Sequence, residues 1–218
     1  MMGRAQFDHA GFLAAARELI GERGPVAVTV DSIVERLNAP KGSFYHRFAS
    51  RDALLGELWL STVLDFQEGF VAAIEAGDGL RAALHTPAWS RRRLDDARLL
   101  LLYSRHDFVH GDWPAPLQRG VADQAERFES CLRTFARDAF GSAGSAQLRR
   151  AAFVLAEVPG IAVKQHLHRR EAPPALVDDL ITRTYHAIVG PARRQSTPQS
   201  RAARDLPSKS EDQSEGSE

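Results

Sequence analysis

Apolar side chains recur at intervals of three and four residues along most of the chain, the spacing of one face of an α-helix. No alternating apolar and polar run bounded by turns predicts a strand. A first helix is predicted from about His9 to Glu22, because Gly24 and Pro25 follow as helix-ending residues. The pattern therefore predicts an all-α fold.

Two short helices separated by a tight break are predicted next. Apolar residues at i, i+3, i+4 and i+7 place the first over Val30 to Leu37, and Thr29 precedes it as an N-cap. Asn38 tolerates the left-handed conformation that a tight break requires. Pro40 favours the first position of the following helix, over Lys41 to Arg47.

A longer fourth helix is predicted from the N-cap Ser50 to about Ala76, linking two domains. Later helical segments are predicted near residues 80–86, 93–106, 116–140, 145–169 and 174–189. The stretch from Ala151 to Val163 is apolar nearly all round, which predicts burial against its own core and against a second subunit. A kink is expected at Pro159-Gly160.

These elements predict three regions. Residues 1–52 are expected to form a small three-helix domain, and residues 53–190 a larger all-helical domain. Residues 191–218 lack apolar periodicity, so folding could not offset their conformational entropy, and a disordered polar tail is expected.

Composition narrows the function classes. The formal net charge is zero, and residues 1–52 carry seven Lys or Arg against six Asp or Glu, so any contact with nucleic acid must be local. The single cysteine, Cys131, allows no internal disulfide and no cysteine zinc site. Without a transmembrane run or a signal peptide, we expect a cytoplasmic protein with no membrane partner.

Two short helices behind a supporting helix meet the specification of a helix-turn-helix, whose second helix enters the major groove. Phe44 and Phe48 are expected to face inward and anchor that helix. The side chains suited to DNA provide charge, close approach or hydrogen-bond donors. They are Lys41, Gly42, Ser43, Tyr45, His46 and Arg47.

The segment from Thr29 to Leu55, TVDSIVERLNAPKGSFYHRFASRDALL, resembles the tetracycline-repressor (TetR) family of bacterial transcriptional regulators. The family's pattern of lysine, glycine, small hydroxyl residue, apolar residue, tyrosine, histidine, any residue and phenylalanine falls on Lys41 to Phe48. The resemblance covers about residues 8 to 60. Beyond them the chain is similar to the family only in length and helical character.

The resemblance implies that Thr29 and Tyr45 hold phosphates and that Arg51 approaches the DNA backbone. It also implies groove positions for Lys41, Ser43, His46 and Arg47. Two departures concern the turn. Pro40 replaces a hydroxyl residue, which removes a phosphate contact, and Asn38 replaces a glycine. Arg4 is a further candidate, as a minor-groove arm.

The resemblance further implies that residues 1–52 are the DNA-binding domain and that residues 53–190 are the ligand-binding and dimerisation domain. It implies a homodimer through the helices near 145–169 and 174–189, and the apolar, Ala-rich segment supports the dimer independently. A two-fold dimer presents its recognition helices about 34–36 Å apart, so the operator is expected to be a near-palindrome. Family members usually repress transcription and are released by a small molecule. Here the fourth helix would couple the ligand to half-site spacing.

The effector is an unknown small molecule, and no cofactor is expected. Candidate pocket residues are aromatic or offer a polar group, as ligand pockets commonly do. They are Trp89, Tyr103, His106, Phe108, Trp113, Phe128, Phe135 and His166. Aromatic residues at helical spacing also suit a hydrophobic core.

Two alternatives remain. His106 with His110, and His166 with His168, motivate an all-helical metal-binding protein or enzyme, but no carboxylate completes a metal motif and no catalytic arrangement is found. We therefore expect no metal and no enzymatic activity. The second alternative is an interaction module that kept the helix-turn-helix fold and lost DNA binding, motivated by Pro40 and the modest local charge.

Overall fold

The computed structural model describes residues 8–109 and 113–196, with side chains as far as Gly190. Every regular element in these ranges is helical, so the all-α prediction is confirmed. The α-helices of the described residues are α1 His9–Arg23, α2 Val30–Leu37, α3 Lys41–Tyr45, α4 Arg51–Glu75, α5 Gly79–Arg92, α6 Leu94–Leu102, α7 Ala115–Phe140, α8 Ser145–Ala152, α9 Val158–His168 and α10 Ala175–Ser196. Shorter segments are 3-10 turns at Pro25–Ala27 and Arg105–Asp107 and a π-helix at Phe153–Glu157.

The ends of the early helices follow from local chemistry. Thr29 Oγ1 accepts a hydrogen bond from the Ser32 backbone N–H at 3.1 Å, which caps α2. Asn38 ends α2 in the left-handed conformation, with φ 49° and ψ 45°. Both features agree with the sequence prediction. Ser50 caps α4 in the same manner as Thr29 caps α2.

The third helix is shorter than predicted. Pro40 is its N-cap, with φ −63° and ψ 138°, rather than its first helical residue. The helix ends at Tyr45, two residues before the predicted end at Arg47. Backbone N–H groups of Arg47 and Phe48 both donate to the Phe44 carbonyl, which closes the helix with a turn.

Two later boundaries also differ from prediction. The segment predicted over 80–86 continues as α5 to Arg92, because Pro87 is accommodated inside the helix and Trp89 beyond it is buried. The segment predicted over 93–106 stops at Leu102, where Tyr103 turns to an extended conformation with φ −122° and ψ 148°.

The segment predicted over 145–169 contains α8, the π-helix and α9. The π-helix directly precedes Pro159, whose missing N–H and bulky ring disturb the bonding of the preceding turn. The segment is buried at Val154, Leu155 and Val163, but Ile161 is 72% exposed. Within one protomer this segment is therefore buried on one side only, whereas the sequence predicts burial on more than one face.

Helix α10 extends beyond the predicted start of the tail at residue 191. Its backbone stays helical to Ser196, and Ala192 to Gln195 are good helix formers. The rest of the predicted tail, 197–218, lies outside the described residues, as does Arg4.

Buried side chains form two hydrophobic clusters. The N-terminal cluster joins α1, α2 and α3 to the first half of α4, and includes Leu99 and Phe108 from further along the chain. The C-terminal cluster joins the second half of α4 to helices α5 to α10. Helix α4 therefore contributes to both clusters. None of the helices in the described part of the chain has the length and apolar character needed to span a bilayer.

Candidate nucleic-acid interface and ligand cavity

Helix α3 is anchored by aromatic side chains on its inner face. Phe44 is fully buried, and its ring packs edge-on against Phe12 of α1 with centroids 5.7 Å apart. Phe48, just after the helix, also packs on both rings, at 5.6 Å from Phe44 and 6.2 Å from Phe12. These contacts fix which side of α3 faces away from the protein.

The outer side of α3 and the turn after it carries the polar residues predicted to contact DNA. Lys41, Gly42, Tyr45, His46 and Arg47 are exposed. We call these five residues the α3 face. The Tyr45 side chain is 54% exposed, so its hydroxyl is accessible to a partner.

Glycine at position 42 leaves the α3 face open. No heavy atom lies within 4 Å of the place that a Cβ would occupy there. Packing within the protein therefore does not require a glycine at this position. The absence of a side chain lets another molecule approach the α3 backbone closely at this position.

Several polar groups near the α3 face already have partners. Ser43, half-buried, donates its hydroxyl to the Pro40 carbonyl at 2.6 Å. Arg47 donates to the Ser43 carbonyl at 3.0 Å and lies over the Phe12 ring, 5.8 Å from its centroid. Both residues would have to exchange these bonds to contact a base or a phosphate.

Lys41 forms an ion pair with Asp31 of α2, with Nζ 2.7 Å from Oδ1. The hydrogen bond from the Asp31 carboxylate, followed by its charge, raises the pKa of Lys41. Lys41 therefore stays cationic, but a neighbouring anion competes for its charge.

Thr29 lies at the N-terminus of α2 and is exposed. Its oxygen accepts the capping bond, which leaves the hydroxyl hydrogen to donate. A phosphate near this residue would also approach the positive end of the α2 dipole.

The Arg51 side chain is bonded to the protein itself, although the resemblance implies that it approaches DNA. Its side chain is only 18% exposed, and its three nitrogens donate to protein oxygens. The acceptors are the carbonyls of Pro25, Val28 and Phe108 and the carboxylate of Asp52. Arg51 therefore holds together the start of α4 and two neighbouring loops, and its approach to the DNA backbone stays a prediction.

A cavity of about 370 Å³ lies among α4, α6 and α7. We call it the α4–α6–α7 cavity. Its walls are apolar and aromatic except for two glutamines. The lining residues are Trp59, Val63, Phe66, Gln67, Leu100, Leu101, Gln124, Ala125 and Phe128.

Of the eight residues predicted for a ligand pocket, only Phe128 lines this cavity. Trp89, Phe108 and Phe135 are buried in the two clusters and do not line this cavity. The reason is that aromatic residues at helical spacing pack into the core, and Trp89 also donates its indole N–H to Asp65 at 2.8 Å.

The other predicted pocket residues lie elsewhere. Tyr103 packs beside the N-terminal cluster, and the Trp113 ring packs edge-on against Trp59. His106 is exposed. His166 lines a second concavity, described next. Gln67 escaped the sequence analysis although it offers a signal, since it lies four residues after Val63 and three before Phe70 on the apolar side of α4.

The second concavity is a groove of about 640 Å³ between α9 and α10. We call it the α9–α10 groove. Large apolar side chains stand exposed along it: Ile161 at 72%, Leu176 at 63% and Leu180 at 53%. Such a concentration of exposed apolar surface is typical of a protein interface.

His106, His166 and His168 are the described histidines among those that motivated a metal site. Within residues 8–109 and 113–196, no three His, Cys, Asp or Glu side chains come together in a way that could hold a metal ion. His110 lies outside the described residues.

Comparisons with known proteins agree with this geometry. Residues 12–58 match the family model for bacterial regulatory proteins of the tetR family. An uncharacterised HTH-type transcriptional regulator, YdeS of Bacillus subtilis (strain 168), is 37% identical over 62 residues, which are 28% of this chain. The match spans only 31% of that relative's length.

Solved structures show similarity over most of the chain. A TetR family transcription regulator from Marinobacter aquaeolei VT8 superposes with a TM-score of 0.62 at 13% identity, covering 87% of this chain and 98% of the other. FadR from Bacillus subtilis, solved in complex with stearoyl-CoA, gives 0.60 at 13% identity, covering 84% and 98%. At such identities the likeness concerns the fold, which is that of TetR-family regulators.

Proposed function

From the match of residues 12–58 to the tetR family model, we propose that this chain is a TetR-family regulator that binds a near-palindromic DNA operator as a homodimer and is released by a small molecule. The family consists of transcriptional regulators, which agrees with the prediction of a regulator rather than an enzyme. We further propose a cytoplasmic location and the division into domains at residues 52 and 53.

One observation carries the DNA-binding part of the proposal. Phe44 and Phe48 anchor α3 from within, while Lys41, Tyr45 and His46 stand exposed on the opposite side. Buried aromatic anchors under an exposed donor-rich face are what a helix that reads a groove requires. With Thr29 at the N-terminus of α2, phosphate contacts could flank the inserted helix.

The α9–α10 groove supports the homodimer. Its apolar side chains would be covered by the same surface of a second copy, as a two-fold interface requires. The two helices that line it, α9 and α10, lie within the segments that the sequence predicts for dimerisation. Two recognition helices would then meet one face of the DNA, about 34–36 Å apart.

The α4–α6–α7 cavity is our candidate effector site, since its volume of about 370 Å³ falls within the common range for small-molecule pockets. FadR was solved with stearoyl-CoA. The cavity of this chain has no ionisable lining residue, so the phosphates of such a ligand would find no cation within it. A ligand between α4 and α7 would act on the DNA-binding domain through α4, which contributes to both clusters.

The test is a fluorescence-anisotropy titration of the full chain against its own upstream intergenic DNA and a scrambled duplex, over roughly 0.05 to 0.2 M salt. We expect submicromolar binding to the first and weaker binding to the second. Lys41→Ala with Tyr45→Phe should abolish selectivity without changing helicity. The matched control is Arg133→Ala, which removes an exposed cation from α7.

Equal weak binding to both duplexes, followed by failure to select any sequence from a random DNA pool, would overturn the regulator proposal. It would favour the interaction module that has lost DNA binding. Indifference of a selective complex to the double substitution would instead move the interface away from the α3 face.

A further inference from the structure

Gln67 lines the α4–α6–α7 cavity, and one of its side-chain atoms, Oε1, is buried without a protein partner. The residue is 4% exposed, and its Nε2 donates to Gln124 Oε1 across the cavity wall at 2.7 Å. No protein donor reaches Gln67 Oε1 within hydrogen-bonding distance. A buried acceptor left unsatisfied costs about 1–3 kcal/mol, so a molecule that supplies a donor there gains affinity.

The bond to Gln124 fixes where this acceptor stands. Gln67 comes from α4 and Gln124 from α7, so the amide pair crosses between two helices and restricts rotation of the Gln67 side chain. A fixed acceptor in an apolar cavity discriminates between ligands with and without a matching donor, because the ligand that lacks it leaves the acceptor unpaired.

The rest of the lining determines the remaining chemistry of the ligand. Seven of the nine lining residues are apolar and none is ionisable. Burying an ion here would carry a large desolvation cost with no opposite charge to offset it. The rings of Trp59, Phe66 and Phe128 favour a flat or aromatic body.

The volume of the α4–α6–α7 cavity limits the size of the ligand. A cavity of about 370 Å³ lies toward the small end of the common range for ligand pockets, which favours a compact ligand. This corresponds to a molecule of one or two fused rings.

From these observations we propose that the effector is an uncharged, mainly aromatic molecule with a single hydroxyl that donates to Gln67 Oε1. The inference rests on the proposed function, which makes the α4–α6–α7 cavity the effector site. It adds the chemical class of the ligand and the residue that selects it.

The test compares three probes of one scaffold by isothermal titration calorimetry on the full chain without DNA. 2-Naphthol offers a hydroxyl donor, 2-methoxynaphthalene offers only an acceptor, and 2-naphthoate carries a charge. We expect 2-naphthol to bind about tenfold or more tightly than either of the others, as expected for a donor that satisfies a buried acceptor. In Gln67→Leu this preference over the methyl ether should fall to about threefold or less.

Gln147→Leu serves as the matched control, since it makes the same change on α8 outside the cavity and should keep the preference of the unmodified chain. Circular dichroism establishes that both variants fold. If Gln67→Leu does not fold, Gln67→Met gives a second test, because its unbranched side chain also lacks the amide acceptor and should likewise lose the preference for 2-naphthol over the methyl ether.

Three results would overturn the proposal: no binding of 2-naphthol, equal or tighter binding of the ether or the naphthoate, or an unchanged preference in Gln67→Leu. The outcome is separable from the proposed function because calorimetry needs no operator. If 2-naphthol binds through Gln67 but the chain binds no DNA sequence selectively, the regulator proposal fails and the ligand site stands.

Discussion

Arg51 Nη1 donates a hydrogen bond to the carbonyl oxygen of Phe108 at 3.2 Å. Arg51 is the first residue of α4, and Phe108 follows the 3-10 turn after α6. The same guanidinium also donates to the carbonyls of Val28 and Pro25, each at 2.6 Å. A side chain that the sequence assigns to DNA thus joins the N-terminal helices to the segment beyond α6.

Arg51→Ala should therefore lower the free energy of unfolding, while the protein that remains folded should bind DNA with nearly the same affinity. Three carbonyls would lose a donor in a partly buried place, and we expect a loss of about 2 kcal/mol, or about 4–8 °C in Tm. Thermal unfolding at fixed protein concentration measures the change. Arg47→Ala, at an exposed position, should shift Tm by about 2 °C or less. An unchanged Tm together with weaker, less salt-dependent DNA binding would return Arg51 to the DNA interface.

The ion pair between Lys41 and Asp31 predicts opposite effects of substituting its two partners on DNA affinity. Asp31→Asn removes an exposed anion beside the α3 face and frees Lys41, so DNA binding should tighten several-fold at low salt. Lys41→Ala should weaken binding and reduce the slope of log K against log salt by about 0.9.

Anisotropy titrations at several salt concentrations measure both effects. Glu129→Gln is the control for the first substitution, since it also breaks an ion pair but on α7. If Asp31→Asn weakens binding, Asp31 positions Lys41 for its phosphate rather than competing with it.

The sequence predicts the helix-turn-helix closely because local chemistry decides it. Thr29 and Asn38 mark the two ends of α2 by a cap and a left-handed residue, and both signals are readable without tertiary contacts. The inward side of α3 follows from the spacing of Phe44 and Phe48 in the same way. The position of Arg51 could not be predicted, because its acceptors come from loops that only the folded chain brings together.

The position of the α4–α6–α7 cavity also could not be predicted from the sequence. Phe128 and Phe135 lie seven residues apart on one side of α7, yet the first lines the cavity and the second is buried in the C-terminal cluster. Helical periodicity selects the face of a helix, but the separation between neighbouring helices decides where a cavity remains. A glutamine on an apolar face, as at Gln67, is a sequence signal that can be used for this purpose.

Charged substitutions in the α9–α10 groove should separate the proposed dimer. Ile161→Glu and Leu180→Glu would each place a carboxylate where a second copy is expected to pack, and the desolvation cost would oppose association. Sedimentation equilibrium should show dimers for the unmodified chain and monomers for the variants at micromolar concentration. Helicity should be unchanged, because both side chains are exposed in the single protomer.

Leu64→Glu is the matched control for this prediction. Leu64 is an exposed leucine of α4, 44% accessible, and lies outside the groove. The Leu64→Glu variant should remain dimeric. Monomers for all three variants would indicate a general loss of stability, and dimers for all three would place the interface elsewhere.

His85 predicts a loss of stability toward acidic pH. Burial lowers its pKa, and Arg92 and Arg81 lower it further, whereas the hydrogen bond to the Phe66 carbonyl and the charge of Asp65 act in the opposite direction. In the unfolded chain the pKa of this histidine is about 6.5, so it already takes up a proton at pH values where the folded state holds the imidazole neutral. Its contribution is present above that pH and is lost as pH falls through the interval between the two pKa values.

Urea unfolding at about pH 7.5 and about pH 5.5 tests this, with the difference in midpoint as the readout. His85→Gln retains a donor for the Phe66 carbonyl but does not titrate, so its midpoint should fall less between the two pH values than that of the unmodified chain. Equal pH dependence in His85→Gln and the unmodified chain would mean that other groups carry the acid sensitivity, since burial of His85 would then make no difference to proton uptake on unfolding.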